Sequence, residues 1–131
     1  MKIYFNGKFF PESSPIINVF DQGFYYGFGL FETMCFLEGK LLHYAPHFAR
    51  FKRGARILGI HLPVDKKNLY QAIVKTLKIN KLKNAYVRII LNPVSENIGT
   101  HSRSKGTNLL IVTKALSPIA PKLYEKFSPN F

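Results

Sequence analysis

Phe20-Asp21-Gln22-Gly23-Phe24-Tyr25-Tyr26-Gly27-Phe28-Gly29-Leu30-Phe31-Glu32-Thr33 is the stretch that decides how this chain is read. Gly23, Gly27 and Gly29 open backbone conformations closed to other residues, yet they are interleaved with aromatics of the kind ordinarily buried. A solvated connection would be small and polar, and Phe24, Tyr25, Tyr26, Phe28 and Phe31 follow no clean hydrophobic period. The spacing fits a glycine-kinked entry into a core strand, and it fits equally a well-packed aromatic wall that something approaches closely. It is not a dinucleotide-binding fingerprint, because Glu32 stands where the third glycine would fall and no strand-turn-helix pattern surrounds it.

Working outward, the elements on either side are mostly strands. Lys2 to Phe5 and Lys8 to Phe10 flank Asn6-Gly7, a pair suited to a two-residue hairpin turn with positive φ at both positions. Pro11 to Pro15 is punctuation, and Ile16-Ile17-Asn18-Val19 is β-rich and leads into the aromatic stretch. Phe31 to Leu37 reads as a strand, with Glu38-Gly39-Lys40 turning into Leu41-Leu42. Tyr44 to Leu58 reads as a helix: Pro46 suits its first turn, Phe48, Phe51, Ala55 and Leu58 recur at helical spacing, and Gly59 ends it. A second helix starts after Asp65 as N-cap, carries Leu69, Ile73 and Leu77 on one stripe, and stops near Asn80. Ala85 to Leu91 and Asn108 to Thr113 are strongly β and are expected to pair across the long polar segment 92–107. The run Ser117-Pro118-Ile119-Ala120-Pro121 reads as a linker, which divides the chain into a domain over 1–116 and a tail over 117–131.

A chain of 131 residues is long enough for one domain with its own core, and no apolar run approaches the roughly 18 residues needed to span a bilayer. Asn6-Gly7-Lys8 interrupts the N-terminus before a signal-peptide apolar region can develop, so the sequence reads as a soluble, cytoplasmic protein with no membrane partner. The single cysteine, Cys35, excludes an internal disulfide and reads as a buried, inert strand residue. The four histidines have no spacing that would build a metal site, so no metal is expected. The net charge of +12 is uneven: three basic residues stand against four acidic from Met1 through Ala49, and sixteen against three from Arg50 onward. Lys52, Arg53, Arg56, Lys66, Lys67, Lys75 and Lys78 fall off the apolar stripes, as solvated helix faces do. The same excess would also fit a basic nucleic-acid-binding module, but no nucleic-acid motif accompanies it, which makes that partner the weaker reading.

The strand period places Tyr86 and Arg88 on one face, a phenol beside a guanidinium fork that could grip a carboxylate or simply stand in solvent. Arg50 lies one turn after His47 on the first long helix, away from the apolar stripe.

The run Asp21-x-Gly23-x-x-Tyr26-Gly27-x-Gly29-x-Phe31-Glu32-Thr33 resembles the opening signature of the class IV (fold type IV) pyridoxal-phosphate aminotransferases, a group that includes branched-chain and D-amino-acid aminotransferases and aminodeoxychorismate lyase. Three further landmarks follow in the family's order: His47-x-x-Arg50, Leu58-Gly59-Ile60 and Tyr86-x-Arg88. The resemblance covers about residues 2 to 114 and implies the family's small N-terminal α+β domain, a mostly antiparallel sheet with two helices. It implies that Arg50 holds the phosphate of pyridoxal 5′-phosphate, that Tyr26 and Phe31 line the substrate pocket, and that Tyr86 and Arg88 lie near the substrate carboxylate. It also implies amino-acid and 2-oxo-acid substrates and a homodimer. Phe28 departs from the pattern where aspartate is common, as does Ile89-Ile90-Leu91-Asn92-Pro93 where the strand usually ends in Arg-Gly, so substrate identity stays open between aminotransferase and lyase. The family's Schiff-base lysine belongs to a second domain, and no lysine here sits in a matching motif. No catalytic residue is therefore assigned, and the chain alone is expected to be inactive. Phe24, Tyr25, Phe28, Leu123, Tyr124 and Phe127 are expected to present apolar surface for self-association.

Overall fold

A computed structural model of the chain describes residues 1–94 and 106–116. Strands β1 (Lys2–Phe5) and β2 (Lys8–Pro11) form the expected hairpin, with Asn6 at φ 51° and Gly7 at φ 88°. A short helix α1 (Gln22–Tyr25) precedes β3 (Leu30–Leu37), which turns through Glu38 and Gly39 into β4 (Lys40–Leu41). Helices α2 (Tyr44–Leu58) and α3 (Lys66–Ile79) follow, then β5 (Ala85–Pro93) and β6 (Thr107–Ala115). All six strands join one antiparallel sheet in the order β2-β1-β6-β5-β3-β4.

The helices cover one face of this sheet. On β5 the period-two pattern is plain: Ala85, Val87, Ile89 and Leu91 are buried, whereas Tyr86 and Arg88 are exposed. Helix α2 buries Phe48, Phe51 and Ala55, and α3 buries Leu69, Ile73 and Leu77, in one core with Met34 and Ile111. Each of these fully buried aliphatic side chains contributes roughly 1.5–3 kcal/mol by leaving water. The helix ends are fixed locally. Asp65 accepts the backbone N–H of Asn68 at 2.7 Å, which caps α3. Gly59, at φ 69°, stops α2, and the N–H of Ile60 returns to the carbonyl of Ala55 at 2.8 Å, so the Leu58-Gly59-Ile60 landmark is a helix stop followed by a buried anchor.

Neither α2 nor α3 covers the opposite face, where only the short α1 and the glycine-rich turn after it border one end. Cross-strand register sets Phe5, Leu110, Ile90 and Phe31 in one row across β1, β6, β5 and β3. Val112, Arg88 and Thr33 form the next row, followed by Lys114, Tyr86 and Cys35.

Several expectations need correction. Ile16 to Val19 forms no strand: after Pro15 it has no partner strand, and Asn18 instead turns the chain by accepting the N–H of Phe20 at 2.9 Å. Leu58 is exposed rather than part of the α2 stripe, and Cys35 is half-buried on the open face rather than sealed in the core. Phe28 turns inward against the core, so it leaves the set of exposed aromatics. The polar segment is shorter than its sequence implied, because β5 runs on to Pro93, which pairs with Thr107. Residues 95–105, and Leu123, Tyr124 and Phe127 with the rest of 117–131, lie outside the described residues.

Candidate functional site

The aromatic-glycine segment folds over the end of the sheet because a polar network anchors it there. Asp21 is buried and accepts the Nδ2–H of Asn108 at 2.8 Å; Asn6 Nδ2 donates to Asn108 Oδ1 at 3.1 Å, and Asn6 Oδ1 accepts the N–H of Leu109 at 2.8 Å. A buried carboxylate is tolerated where such partners replace water. Gln22 Nε2 adds a bond to the carbonyl of Val94 at 3.1 Å. The glycines answer to close approach: a Cβ on Gly29 would lie 2.7 Å from the carbonyl oxygen of Leu91, and one on Gly23 would lie 2.6 Å from Cγ of Asn92. Between this segment and the Phe5, Leu110, Ile90 and Phe31 row lies a cavity of about 350 Å³.

On the open face, Arg88 and Phe31 meet. The guanidinium stacks over the Phe31 ring, with Cζ 4.8 Å from its centroid, and Nε donates to Thr33 Oγ1 at 3.1 Å. One bond and one stack hold the planar group, and its terminal nitrogens make no hydrogen bond among the described residues. Tyr86 stands two residues earlier on the same face, half-exposed. Such a set can receive a carboxylate bidentately with an aromatic wall beside it.

A second cluster lies on the helix-covered side. Glu32, only 5% exposed, receives Arg50 along one edge, Nε to Oε1 at 2.5 Å and Nη2 to Oε2 at 2.8 Å, and His47 Nδ1 lies 2.8 Å from Oε2. The Arg50 hydrogen bond holds the Glu32 carboxyl below its ordinary value, against the upward pull of burial and with help from His47; Arg50 is raised in turn by Glu32. β4 pairs only with Phe36 and Leu37, so the outer edge of β3 beside Glu32 has no partner strand among the described residues. The Arg50 side chain is 66% exposed and borders a cavity of about 420 Å³ together with His47 and Arg53.

The sequence-chosen residues thus fall into two groups. Phe31, Arg88 and Tyr86 share one face, with Phe31 and Arg88 in contact; Arg50 lies on the other side of β3, linked to it through Glu32. Tyr26 packs edge-on against Tyr25 at 4.9 Å, 68% exposed, and has no described contact with either group. The aromatic wall is not packed in this chain, for Phe24, Tyr25, Tyr26 and Phe31 all present most of their surface to solvent. Sequence reasoning assigned no role to Glu32, His47 or Asp21, although all three stand inside the quoted motifs. An acid inside an aromatic run, next to a sheet whose helix carries His-x-x-Arg, was the available signal.

Fold and site together define a small antiparallel α+β domain with one arginine against each face of one strand, the N-terminal architecture of the fold type IV enzymes. The chain belongs to the amino-transferase class IV family, whose model matches residues 29–130. It is 34% identical over 106 residues to a putative branched-chain-amino-acid aminotransferase of Methanocaldococcus jannaschii, covering 81% of this chain and 37% of that protein. It is 36% identical over 90 residues to the aminodeoxychorismate lyase of Bacillus subtilis, covering 69% of this chain and 31% of that protein. The fold matches the branched-chain aminotransferase of Thermoproteus uzoniensis with norvaline at a TM-score of 0.78 and 24% identity, covering 89% of this chain and 41% of that one. It also matches the branched-chain amino acid aminotransferase of Escherichia coli at a TM-score of 0.79 and 19% identity, covering 88% of this chain and 40% of that one. The chain therefore spans less than half the length of these relatives. Among the described residues, no helix is long and apolar enough to cross a membrane and no His, Cys, Asp and Glu cluster could hold a metal ion.

Proposed function

We propose that this chain is the N-terminal part of a pyridoxal-phosphate-dependent class IV aminotransferase that acts on amino acids and 2-oxo acids. The observation that supports the reading is the pair of arginines held apart on opposite faces of the sheet, Arg50 on Glu32 and Arg88 on Phe31 and Thr33. The cavity beside Arg50 suits the cofactor's phosphate, since His47 and Arg53 flank it and one edge of the Arg50 guanidinium is not engaged by Glu32. Arg88, with Tyr86 beside it, takes the substrate carboxylate, and Phe31 gives that site its apolar side. When bound, pyridoxal phosphate supplies an electron sink for the amino acid's α-carbon. Among the described residues no lysine lines the cavity beside Arg50 or the one beside Phe31, and the reading takes the amine that the chemistry needs from a further segment. Exposed Phe24 and Tyr25 supply apolar surface for a homodimer. The lyase is the second reading, favoured by the similarity to the Bacillus subtilis enzyme.

The test is amino-group transfer from an amino acid to a 2-oxo acid with added cofactor, run on the 131-residue chain and on that chain fused to the lysine-bearing segment of a class IV relative. The fusion is expected to exchange amino groups and the chain alone is not. In the fusion, Arg50→Ala and Arg88→Ala should each lower kcat/KM roughly 100-fold, equivalent to about 2.7 kcal/mol. Exchange by the chain alone, or a fusion indifferent to both substitutions, would contradict the reading. Pyruvate release from 4-amino-4-deoxychorismate would select the lyase.

A further inference from the structure

We propose that Glu32 is a positioning residue for Arg50. Its buried carboxylate fixes the guanidinium plane so that the end-on pair of N–H groups meets an anion in the His47 and Arg53 cavity, and this orientation outweighs the repulsion a carboxylate exerts on that anion. The inference rests on the reading of Arg50 as the phosphate ligand. Nothing in the core restrains Arg50, whose side chain is 66% exposed and leaves α2 away from the buried Phe48, Phe51 and Ala55. An arginine in that position would otherwise sample many rotamers and order itself only when an anion arrived. Glu32 removes that freedom. It is borne by β3 on the helix-covered face, it engages Nε and Nη2 along one edge, and His47 Nδ1 on the same Oε2 opposes rotation of the carboxylate. His47 and Arg50, three residues apart on α2, are thus clamped by one strand-borne acid.

The arrangement is an odd choice for stability alone, because a buried carboxylate gives up its hydration to meet a guanidinium that stays largely in water. Its electrostatic sign also opposes anion binding, since Glu32 offsets the Arg50 charge. The repulsion is the weaker effect: it acts across the full width of the guanidinium, at a site open to water, where dielectric and salt both reduce it. Two opposite expectations therefore follow for Glu32→Gln. If charge governs, removing it tightens phosphate binding; if orientation governs, it weakens binding.

The experiment titrates inorganic phosphate, pyridoxamine 5′-phosphate and pyridoxamine into the 131-residue chain and its variants by calorimetry, following the Arg50 Nε–Hε resonance in parallel. We expect Glu32→Gln to bind both phosphate-bearing probes about 10-fold more weakly, with no change for pyridoxamine, and the sharp, exchange-protected Arg50 signal of the unsubstituted chain to be lost. Glu32→Asp, which keeps the charge but retracts the carboxylate by one methylene, should show the same loss. Binding that is unchanged or tighter in Glu32→Gln, while Arg50→Ala abolishes it, overturns the positioning role and leaves the phosphate reading intact. An Arg50 signal in the unsubstituted chain that exchanges like a free surface arginine overturns it without any variant. Failure of phosphate to perturb Arg50 at all overturns both.

Discussion

Gly29→Ala tests whether the aromatic segment is seated by close backbone approach. The added Cβ would lie 2.7 Å from the carbonyl oxygen of Leu91 and 3.1 Å from Cβ of Asn92. Leu91 cannot yield easily: its side chain is buried, and β5 is paired there with Leu30 on one side and Leu109 on the other. Overpacking of this kind costs about 1–3 kcal/mol, which for a chain of this size lowers Tm by roughly 3–5 °C per kcal/mol. Gly23→Ala meets a different obstacle, the Cγ and Cβ of Asn92 at 2.6 and 2.7 Å, all of it side chain. Asn92→Gly should therefore relieve Gly23→Ala but leave Gly29→Ala largely uncorrected. Urea unfolding of the two double-mutant cycles measures this, with a coupling of about 1 kcal/mol or more expected for positions 23 and 92 and a clearly smaller one for 29 and 92. A Gly29→Ala chain as stable as the parent, or equal coupling in both cycles, would refute the reasoning.

Acid titration offers a second check. Glu32 is held below its ordinary pKa chiefly by Arg50, so its contribution to stability is complete above the unfolded carboxyl value and is lost as pH falls through the lower folded value. The advantage of the parent over Glu32→Gln in unfolding free energy, roughly 1–3 kcal/mol at neutral pH, should shrink below about pH 4; an advantage constant from pH 7 to pH 2 would contradict it. Sedimentation across a concentration series should show self-association that Phe24→Ser with Tyr25→Ser reduces, because these rings are exposed beside an uncovered sheet face; a monomer throughout would remove the dimer. Filter binding of DNA or RNA at low salt should show no retention, and steeply salt-dependent retention would instead make the basic face of Lys52, Arg53 and Arg56 a nucleic-acid surface.

The fold was legible wherever local chemistry set it. Asn6-Gly7, the Asp65 cap, the Leu69, Ile73 and Leu77 stripe and the Gly59 stop each carry their own physical signal, and each appears where its spacing put it. Ile16 to Val19 misled because β propensity forms no strand without a partner edge. Leu58 misled because a helix stripe ends where the helix leaves the core. The site was half legible. The strand period puts Tyr86 and Arg88 on one face, as found, whereas their roles and that of Arg50 come only from the family resemblance. The bonds that hold the site, Glu32 to Arg50 and Asp21 to Asn108, join residues distant in sequence, and no periodicity reports such pairings. The exposure of Phe24, Tyr25 and Tyr26 was illegible for the same reason, since burial of an aromatic depends on what the rest of the chain brings to it.

The claim on which the account depends is that Arg88, with Phe31 and Tyr86, receives a carboxylate on the open face of the sheet. A chemical-shift titration of the 131-residue chain with 4-methyl-2-oxopentanoate, carried into the millimolar range, tests it directly. Saturable shifts confined to Phe31, Thr33, Tyr86 and Arg88, and abolished by Arg88→Ala, are the predicted result. Shifts absent from these residues, or unchanged in Arg88→Ala, would contradict it.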